Sequence, residues 1–422
     1  MADTIYALSS GALPAAIAVL RVSGPRAGEA VIALTGSLPA ERTPSLRTLR
    51  DPSGEALDRA LVLWFPGPAT ATGEDLAELH CHGGRAVVAA VMAALASMEG
   101  LREAEAGEFT RRAFANGRMD LAQAEGLGDL LSAETELQRR GAILAAGGRL
   151  SQRIEEWRDR VLGFAALVEA VIDFSDEDDV AALPPDFAAG IAELCKDIRA
   201  VADRPATERL RDGIRVVLAG PPNAGKSSLF NALLSDEAAI VTAEAGTTRD
   251  VLERPVSVDG VPLVLVDTAG IRDSGAGAIE AMGIERARSA VASGDIVLWL
   301  GDPADAPESA LVICSKADLG VASGEGLKVS AVTGEGIDDL LSRLAEKGRA
   351  ALPPVDRMAF NRRQRERALE AVASLESVAP DGDLLVAAER LREARVALDR
   401  LVGRDSTEEM LDALFGRFCI GK

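Results

Sequence analysis

Gly220-Pro221-Pro222-Asn223-Ala224-Gly225-Lys226-Ser227 decides the fold around it. The pattern is G-x-x-x-x-G-K-S. The apolar run Ile214 to Ala219 precedes it, and the helix-like Ser228-Leu229-Phe230-Asn231-Ala232-Leu233-Leu234 follows. Strand, glycine-rich loop and helix in that order make a phosphate cradle. Glycines let the backbone wrap closely, amide N–H groups and the helix N-terminus face the anion, and Lys226 adds a mobile positive charge. Ser227 presents a hydroxyl to a Mg2+ ion bridging the terminal phosphates. Asn223, Ala224, Gly225 and Ser228 complete the loop. The stretch reads as a nucleotide site.

Downstream, strands and helices alternate. Leu263 to Asp267, Asp295 to Leu300, Ala310 to Cys314 and Leu327 to Ser330 are short apolar runs, as expected of parallel strands covered on both faces. Their ends carry the chemistry. Asp267-Thr268-Ala269-Gly270 lets Asp267 reach the Mg2+ shell through water while the Gly270 backbone approaches the γ-phosphate. Thr247-Thr248-Arg249-Asp250 lies in a polar loop, suited to a switch in which Thr248 closes on Mg2+. In Ser315-Lys316-Ala317-Asp318 the carboxylate accepts two N–H bonds from guanine, which adenine cannot offer. Ser330-Ala331 follows the next strand and finishes the base pocket. Three such tetrapeptides and a Ser-Ala pair, all following a P-loop along the chain, indicate a GTPase.

Composition sets the outer bounds. The chain has 422 residues, about three domains' worth, with 48% hydrophobic and 27% charged residues, so it can bury real cores. No basic-then-apolar leader opens it, and no apolar run is long enough to span a bilayer. Cys81, Cys195, Cys314 and Cys419 are far apart, with no C-x-x-C pair. A cytoplasmic protein is the expectation. The net charge of −20 argues against generic adhesion to nucleic acid, so an RNA partner needs a local basic surface.

The N-terminal part reads as a small α/β unit. Ala16 to Val22 and Ala60 to Phe65 are strand-like, and Ala86 to Met98 reads as a buried helix. His80 and His82 flank Cys81 and face one side of a strand. They are polar strand-end groups or a metal pair. The first reading is preferred because no acidic or cysteine partner sits at ligand spacing. Arg21, inside a strand-like run, is a surface arginine or a ligand for a small anion. From Leu121 the period changes. Leu150, Ile154, Trp157, Val161, Phe164, Val168 and Val171 step by four and three, the seam of a packed helix. The acidic run Asp176 to Asp179 follows, better read as a solvated helix-end cluster than as a metal site, and Pro184-Pro185 ends any helix. Leu384, Leu391 and Leu398 mark a second seam, with Ala387, Ala394 and Leu401 three residues further on, and Ser406 with Glu409 signals a capping box. The nucleotide domain is therefore an insertion within a helical domain.

The order P-loop, T-T-R-D, D-T-A-G, S-K-A-D, S-A resembles translation-factor-related GTPases. The flanks narrow it: Asp3-Thr4-Ile5, Ala18 to Gly24, Phe65-Pro66-Gly67-Pro68, Thr72-Gly73-Glu74-Asp75, Asp120 to Glu125 and the terminal Phe418-Cys419-Ile420-Gly421-Lys422. Over essentially its whole length the chain resembles the tRNA modification GTPase family MnmE, also called TrmE. The resemblance implies a multidomain α+β and α/β protein: a folate-binding and dimerising domain over 1–118, a helical bundle over 119–212 and 351–422, and an inserted Ras-like G domain over 213–350. It implies a homodimer that joins a FAD-containing MnmG-type protein as a heterotetramer. Together they would add an aminomethyl or carboxymethylaminomethyl group to C5 of the wobble uridine of certain tRNAs. The one-carbon unit would come from 5-formyl- or methylene-tetrahydrofolate. By motif match the folate contacts fall on Arg21, Glu78, Arg118 and Lys422, with Arg118 standing where many members have lysine. Cys419 is the residue the family is thought to need for the modification step.

For hydrolysis, Ile271 follows Asp-Thr-Ala-Gly where glutamine would orient water. The resemblance implies a K+ ion held by Asn223 and the loop with Thr242, Glu244 and Thr247, in place of an arginine finger. Asp273 stands where well-known members have a water-steering glutamate. It is one methylene shorter, and a misplacement of about 1 Å can cost on the order of a hundredfold in rate. Lys226, Asp273 and Cys419 are thus the candidate catalytic residues. Ser315 replaces the usual asparagine and braces fewer loop groups, so weaker nucleotide affinity is expected.

For tRNA, Arg357, Arg362, Arg363, Arg365 and Arg367 against Glu366 form a basic run, and Arg111-Arg112 a second; either is a phosphate-contacting or a merely solvated face. The main alternative is a ribosome-assembly GTPase, an RNA-binding timing module. It calls for an appendage such as a KH domain, and no such stretch is found. A membrane-remodelling GTPase calls for an apolar paddle or basic amphipathic helix, whereas the long helices here read as bundle seams.

Overall fold

The computed structural model describes residues 3–173, 182–235, 239–241, 252–268, 294–320, 326–353, 358–379, 382–404 and 407–422. The chain divides into two compact units, Met1–Gly128 with Val402–Lys422, and Asp129–Leu401. The expected mixture of α+β and α/β parts is present.

The first unit is built on a six-stranded sheet of β1 (Thr4–Leu8), β2 (Ile17–Ser23), β3 (Ser45–Arg50), β4 (Ala56–Phe65), β5 (Leu76–His82) and β6 (Leu101–Glu103). Their order is β3-β4-β5-β2-β1-β6, antiparallel except for β1 with β6. Alternation decides which face is covered. Leu20 and Val22, Ala60 and Val62, and Ala77 and Leu79 point to one side, into a core shared with Val31 and Leu34 of helix Ala27–Thr35 and Val91 and Leu95 of helix Arg85–Ala96. Ile5 and Ala7 point to the other side and meet Phe109 of helix Glu108–Ala115. A separate cluster joins Leu121 and Ala124 to Phe415 and Phe418, so the end of the chain belongs to this unit.

In the second unit β7 (Ile214–Ala219), β8 (Ala239–Val241), β9 (Leu252–Val258), β10 (Val261–Asp267), β11 (Ile296–Trp299), β12 (Leu311–Ser315) and β13 (Leu327–Val329) form one sheet. The order is β13-β12-β11-β7-β10-β9-β8, with the five anticipated strands parallel and β9 and β8 added antiparallel at one edge. The parallel strands run through the core, as their continuous apolar sequences require. The helix Arg149–Asp173 buries Leu150, Ile154, Trp157, Val161, Val168 and Val171, as the four-three spacing predicts. Phe164 is only half-buried and meets Phe187 edge-on, with ring centroids 5.5 Å apart. Leu384–Leu401 buries Ala387, Leu391, Ala394, Leu398 and Leu401. The helix Phe187–Ala202, absent from the reading above, starts just after Pro184-Pro185. The acidic run Asp176 to Asp179 and Ser406 lie outside the described residues.

Candidate functional site: a nucleotide cradle and a strand-borne ion pair

The cradle sits at the C-terminal ends of the parallel strands. Gly220 leaves β7 at φ 143°, and a Cβ there would lie 2.6 Å from the Leu300 carbonyl oxygen, so only glycine fits. Asn223 at φ 60° and Gly225 at φ 94° turn the loop onto the helix Lys226–Ser235. Lys226 is buried, and its Nζ donates to the carbonyls of Gly220 at 3.1 Å and Pro221 at 2.9 Å. Ser227 and Ser228 stand exposed at the helix start. A hydroxyl at a helix N-terminus, beside a loop that no Cβ fills at Gly225, suits a magnesium-bound phosphate.

Two neighbouring strand ends close on this loop. Asp267, buried at the end of β10, is the register partner of Leu218. Thr268 turns its hydroxyl inward and donates to the Leu218 carbonyl at 2.7 Å, pinning the two strand ends together. On the guanine side, Ser315 Oγ donates to the Ala224 carbonyl at 2.7 Å and Lys316 Nζ to the Asn223 carbonyl at 2.9 Å. Ser330 Oγ donates to Asp318 Oδ1 at 2.6 Å and accepts from the Val332 and Thr333 amides, so the carboxylate is aimed by the following strand. Ala331 is half-buried beside it. No sequence signal announces the roles of Thr268 and Ser330 as braces, because each bonds a group fixed only by the fold. Thr242, Glu244, Thr247, Thr248, Ala269, Gly270, Ile271 and Asp273 lie outside the described residues.

In the first unit, Arg21 and Glu78 are cross-strand neighbours, and Arg21 donates to Glu78 Oε1 from Nη2 at 2.8 Å and Nε at 3.2 Å. Burial opposes ionisation of Glu78, but hydrogen bonds from Arg21 and His80 prevail and hold its pKa below the ordinary value. His80 thus faces Glu78, and His82 Nδ1 lies 2.7 Å from Asp58 Oδ1. Among the described residues no group of three or more metal-ligating side chains occurs. Arg118 is exposed and donates to the Thr70 carbonyl, while Lys422 is half-buried at the chain end. Burial, with the charge of Asp58, pushes the Cys81 thiol up to about 12, whereas Cys419 is exposed.

The expected phosphate-contacting arginines need correction. Arg112 is buried and pairs with Asp3, Glu74 and Glu108, and Arg111 pairs with Glu408 and Asp412. Arg363 donates to the carbonyls of Arg400 and Leu401, and Arg365 to that of Ala202, so both cap the C-terminal ends of neighbouring helices. Arg367 pairs with Glu370, and Arg357 lies outside the described residues. Arg112, Arg363 and Arg365 are thus engaged by the fold, whereas Arg362 is exposed and Arg367 sits in a partly exposed pair within its own helix.

Comparison with known proteins fits this layout. A model of the GTP-binding protein TrmE N-terminus matches residues 4–118, and one of the MnmE helical domain matches residues 121–419. The tRNA modification GTPase MnmE of Erythrobacter litoralis is 57% identical over 423 residues, covering 100% of both chains. The chain belongs to the MnmE family. The MnmE of Novosphingobium aromaticivorans is 56% identical over 437 residues, again covering 100% of both chains. Among solved structures, the chain is similar to the G domain of the T. maritima FeoB iron transporter, at 22% identity over 32% of this chain and 98% of that one. The TM-score is 0.24, too low to carry an argument. With an MnmE-type cradle assembled, the protein is a GTP hydrolase. No helix among the described residues is long and apolar enough to cross a membrane.

Proposed function

We propose that the chain is a K+-activated GTPase that drives modification of tRNA. Acting with a FAD-containing MnmG-type protein, it would add an aminomethyl-type group to C5 of the wobble uridine of certain tRNAs, in the cytoplasm. The observation that carries the reading is the guanine-side geometry. Asp318 is aimed by Ser330 next to a P-loop that Ser315 and Lys316 tie down, so base and phosphate would be held by one connected frame. The tRNA half rests on the relatives' names, each a tRNA modification GTPase.

In this reading Lys226 exchanges its two carbonyl partners for phosphate oxygens. Ser227 and Thr248 would hold Mg2+, with Asp267 behind its waters, and the ion supplies charge neutralisation at the terminal phosphates. Asn223, Thr242, Glu244 and Thr247 would hold K+, and Asp273 orients the attacking water. The backbone of Ala269 and Gly270 would carry the γ-phosphate contact, while Thr268, expected among the GTP-binding residues, braces the strand end from within. Arg21, Glu78, Arg118 and Lys422 would bind a tetrahydrofolate one-carbon donor, and Cys419 serves the modification step. The division of labour is a folate-binding, dimerising part over 1–118, a G domain over 213–350, and helical parts over 119–212 and 351–422. GTP turnover in K+ and in Na+ tests the GTPase half. Stimulation by K+ that disappears in Asp273→Ala and Lys226→Ala is expected. Equal rates in the two salts, or undiminished turnover in Asp273→Ala, would overturn it.

A further inference from the structure

The last residues of a chain fray unless something ties them down. Here, within the first unit, they are tied at four points. Phe418 is buried against Phe415, and Ile420 forms an antiparallel bridge with Ala106. The Cys419 carbonyl accepts from the amides of Gly107 and Lys422, at 3.4 and 3.2 Å. Ser9 Oγ donates to the Gly421 carbonyl at 2.8 Å. The chain is so close that side chains are excluded at two positions. A Cβ on Gly421, at φ 92°, would lie 2.2 Å from the Leu8 carbonyl oxygen. A Cβ on Gly107, at φ 68°, would lie 2.2 Å from that of Phe415. Both obstacles are backbone and cannot swing aside.

We infer that Ser9, Gly107 and Gly421 are positioning residues that clasp the C-terminal tail onto β1 and the turn after β6, holding the Cys419 thiol outward and Lys422 in place. The glycines do so by permitting close approach, and Ser9 by a side-chain bond to the tail's backbone. Cys419 is thereby an exposed residue between the buried Phe418 and Ile420, whose backbone is bridged to Ala106 while its side chain is exposed. The inference deepens the reading in which Cys419 and Lys422 serve the modification, and rests on it for its functional part.

The clasp and that reading are tested separately in the full-length protein. Release of Lys422 by a basic-residue carboxypeptidase reports how often the tail opens. Wild type should resist, Gly421→Ala and Gly107→Ala should release lysine about tenfold faster or more, and Ser9→Ala should fall between them. Gly117→Ala, at a positive φ with open space around it, is the control for general strain and should match wild type. GTP turnover should be unchanged in all four. Equal release from wild type and Gly421→Ala would overturn the clasp. The functional part is read from wobble-uridine content in cells carrying Gly421→Ala, expected to fall as in Cys419→Ser. A fast-releasing Gly421→Ala with normal modification would leave the clasp standing and overturn its role. Normal modification in Cys419→Ser would instead overturn the reading it rests on.

Discussion

Arg112→Met removes the hub of a buried ion cluster while keeping most of the side-chain volume. Arg112 is 1% exposed and donates from Nη2 to Asp3 Oδ1 at 3.0 Å and Glu108 Oε1 at 2.9 Å, and from Nη1 to Glu74 Oε2 at 3.2 Å. Taking one partner from a buried pair costs about 3–5 kcal/mol, chiefly because the other charge is left without compensation. Arg102 still holds Glu108, and Ser23 still donates to Glu74, so the lower end applies, about 3 kcal/mol. That corresponds to about a hundredfold rise in the exchange of amides that open with this unit. Hydrogen exchange of peptides covering Thr4–Leu8 and Ile17–Ser23 reads it. The pH dependence has a fixed sign. Burial works against ionisation of Asp3 and Glu108, yet bonds from Arg102 to both, with the charge of Arg112 at Asp3 and hydrogen bonds from the Glu105 amide and Arg112 at Glu108, hold both below their ordinary values. Groups depressed on folding stabilise fully above their unfolded values and lose that contribution as pH falls through the folded ones. The gap between wild type and Arg112→Met should therefore be constant near neutrality and close below about pH 4. A gap under threefold at pH 7, or one that widens with acid, would refute the reasoning. So would intact exchange protection combined with weakened tRNA binding, which would return Arg112 to the phosphate-contacting surface.

Three further outcomes follow from the cradle. Gly220→Ala forces a Cβ against the Leu300 backbone and should weaken GDP binding at least about tenfold in a fluorescent-nucleotide titration; unchanged affinity would mean the loop is not so confined. Ser330→Ala frees Asp318, and the preference for GTP over ATP should fall about tenfold by competition, with an unchanged ratio counting against the brace. Thr268→Val keeps the shape but removes the bond to Leu218. It should lower GTP turnover about tenfold and leave GDP affinity within about twofold, whereas an equal loss in both would make Thr268 a nucleotide ligand.

What the sequence discloses depends on how far apart the interacting residues are. The P-loop and the strands around it are local patterns, and Ile214 to Ala219 could be placed by inspection. The seam from Leu150 to Val171 is legible for the same reason. The stripe Phe187, Ile191, Leu194, Ile198 and Val201 is as local, but the proline pair just before it masks where its helix begins. The strand Leu252–Val258, next to last in its sheet, is harder, because Pro255 interrupts its alternation and its pairing is antiparallel to the core strands. Arg112 is harder still: Asp3 lies 109 residues away and Glu74 lies 38 away, so an arginine that looks solvated on the page is a buried hub. The tail is the extreme case, with Ser9 and Gly421 separated by 412 residues. Arg363 and Arg365 are hard for the same reason, since the helix ends they cap belong to other parts of the chain.

The central claim joins a nucleotide cradle to tRNA chemistry, and nucleoside mass spectrometry tests that junction most directly. Bulk tRNA would be taken from a strain lacking this gene and from the same strain complemented with wild type, Lys226→Ala or Cys419→Ser. The account predicts loss of the C5-modified wobble uridine in the deletion, restored by wild type and by neither variant. Full wobble modification in the deletion strain, or its restoration by Lys226→Ala, would contradict it.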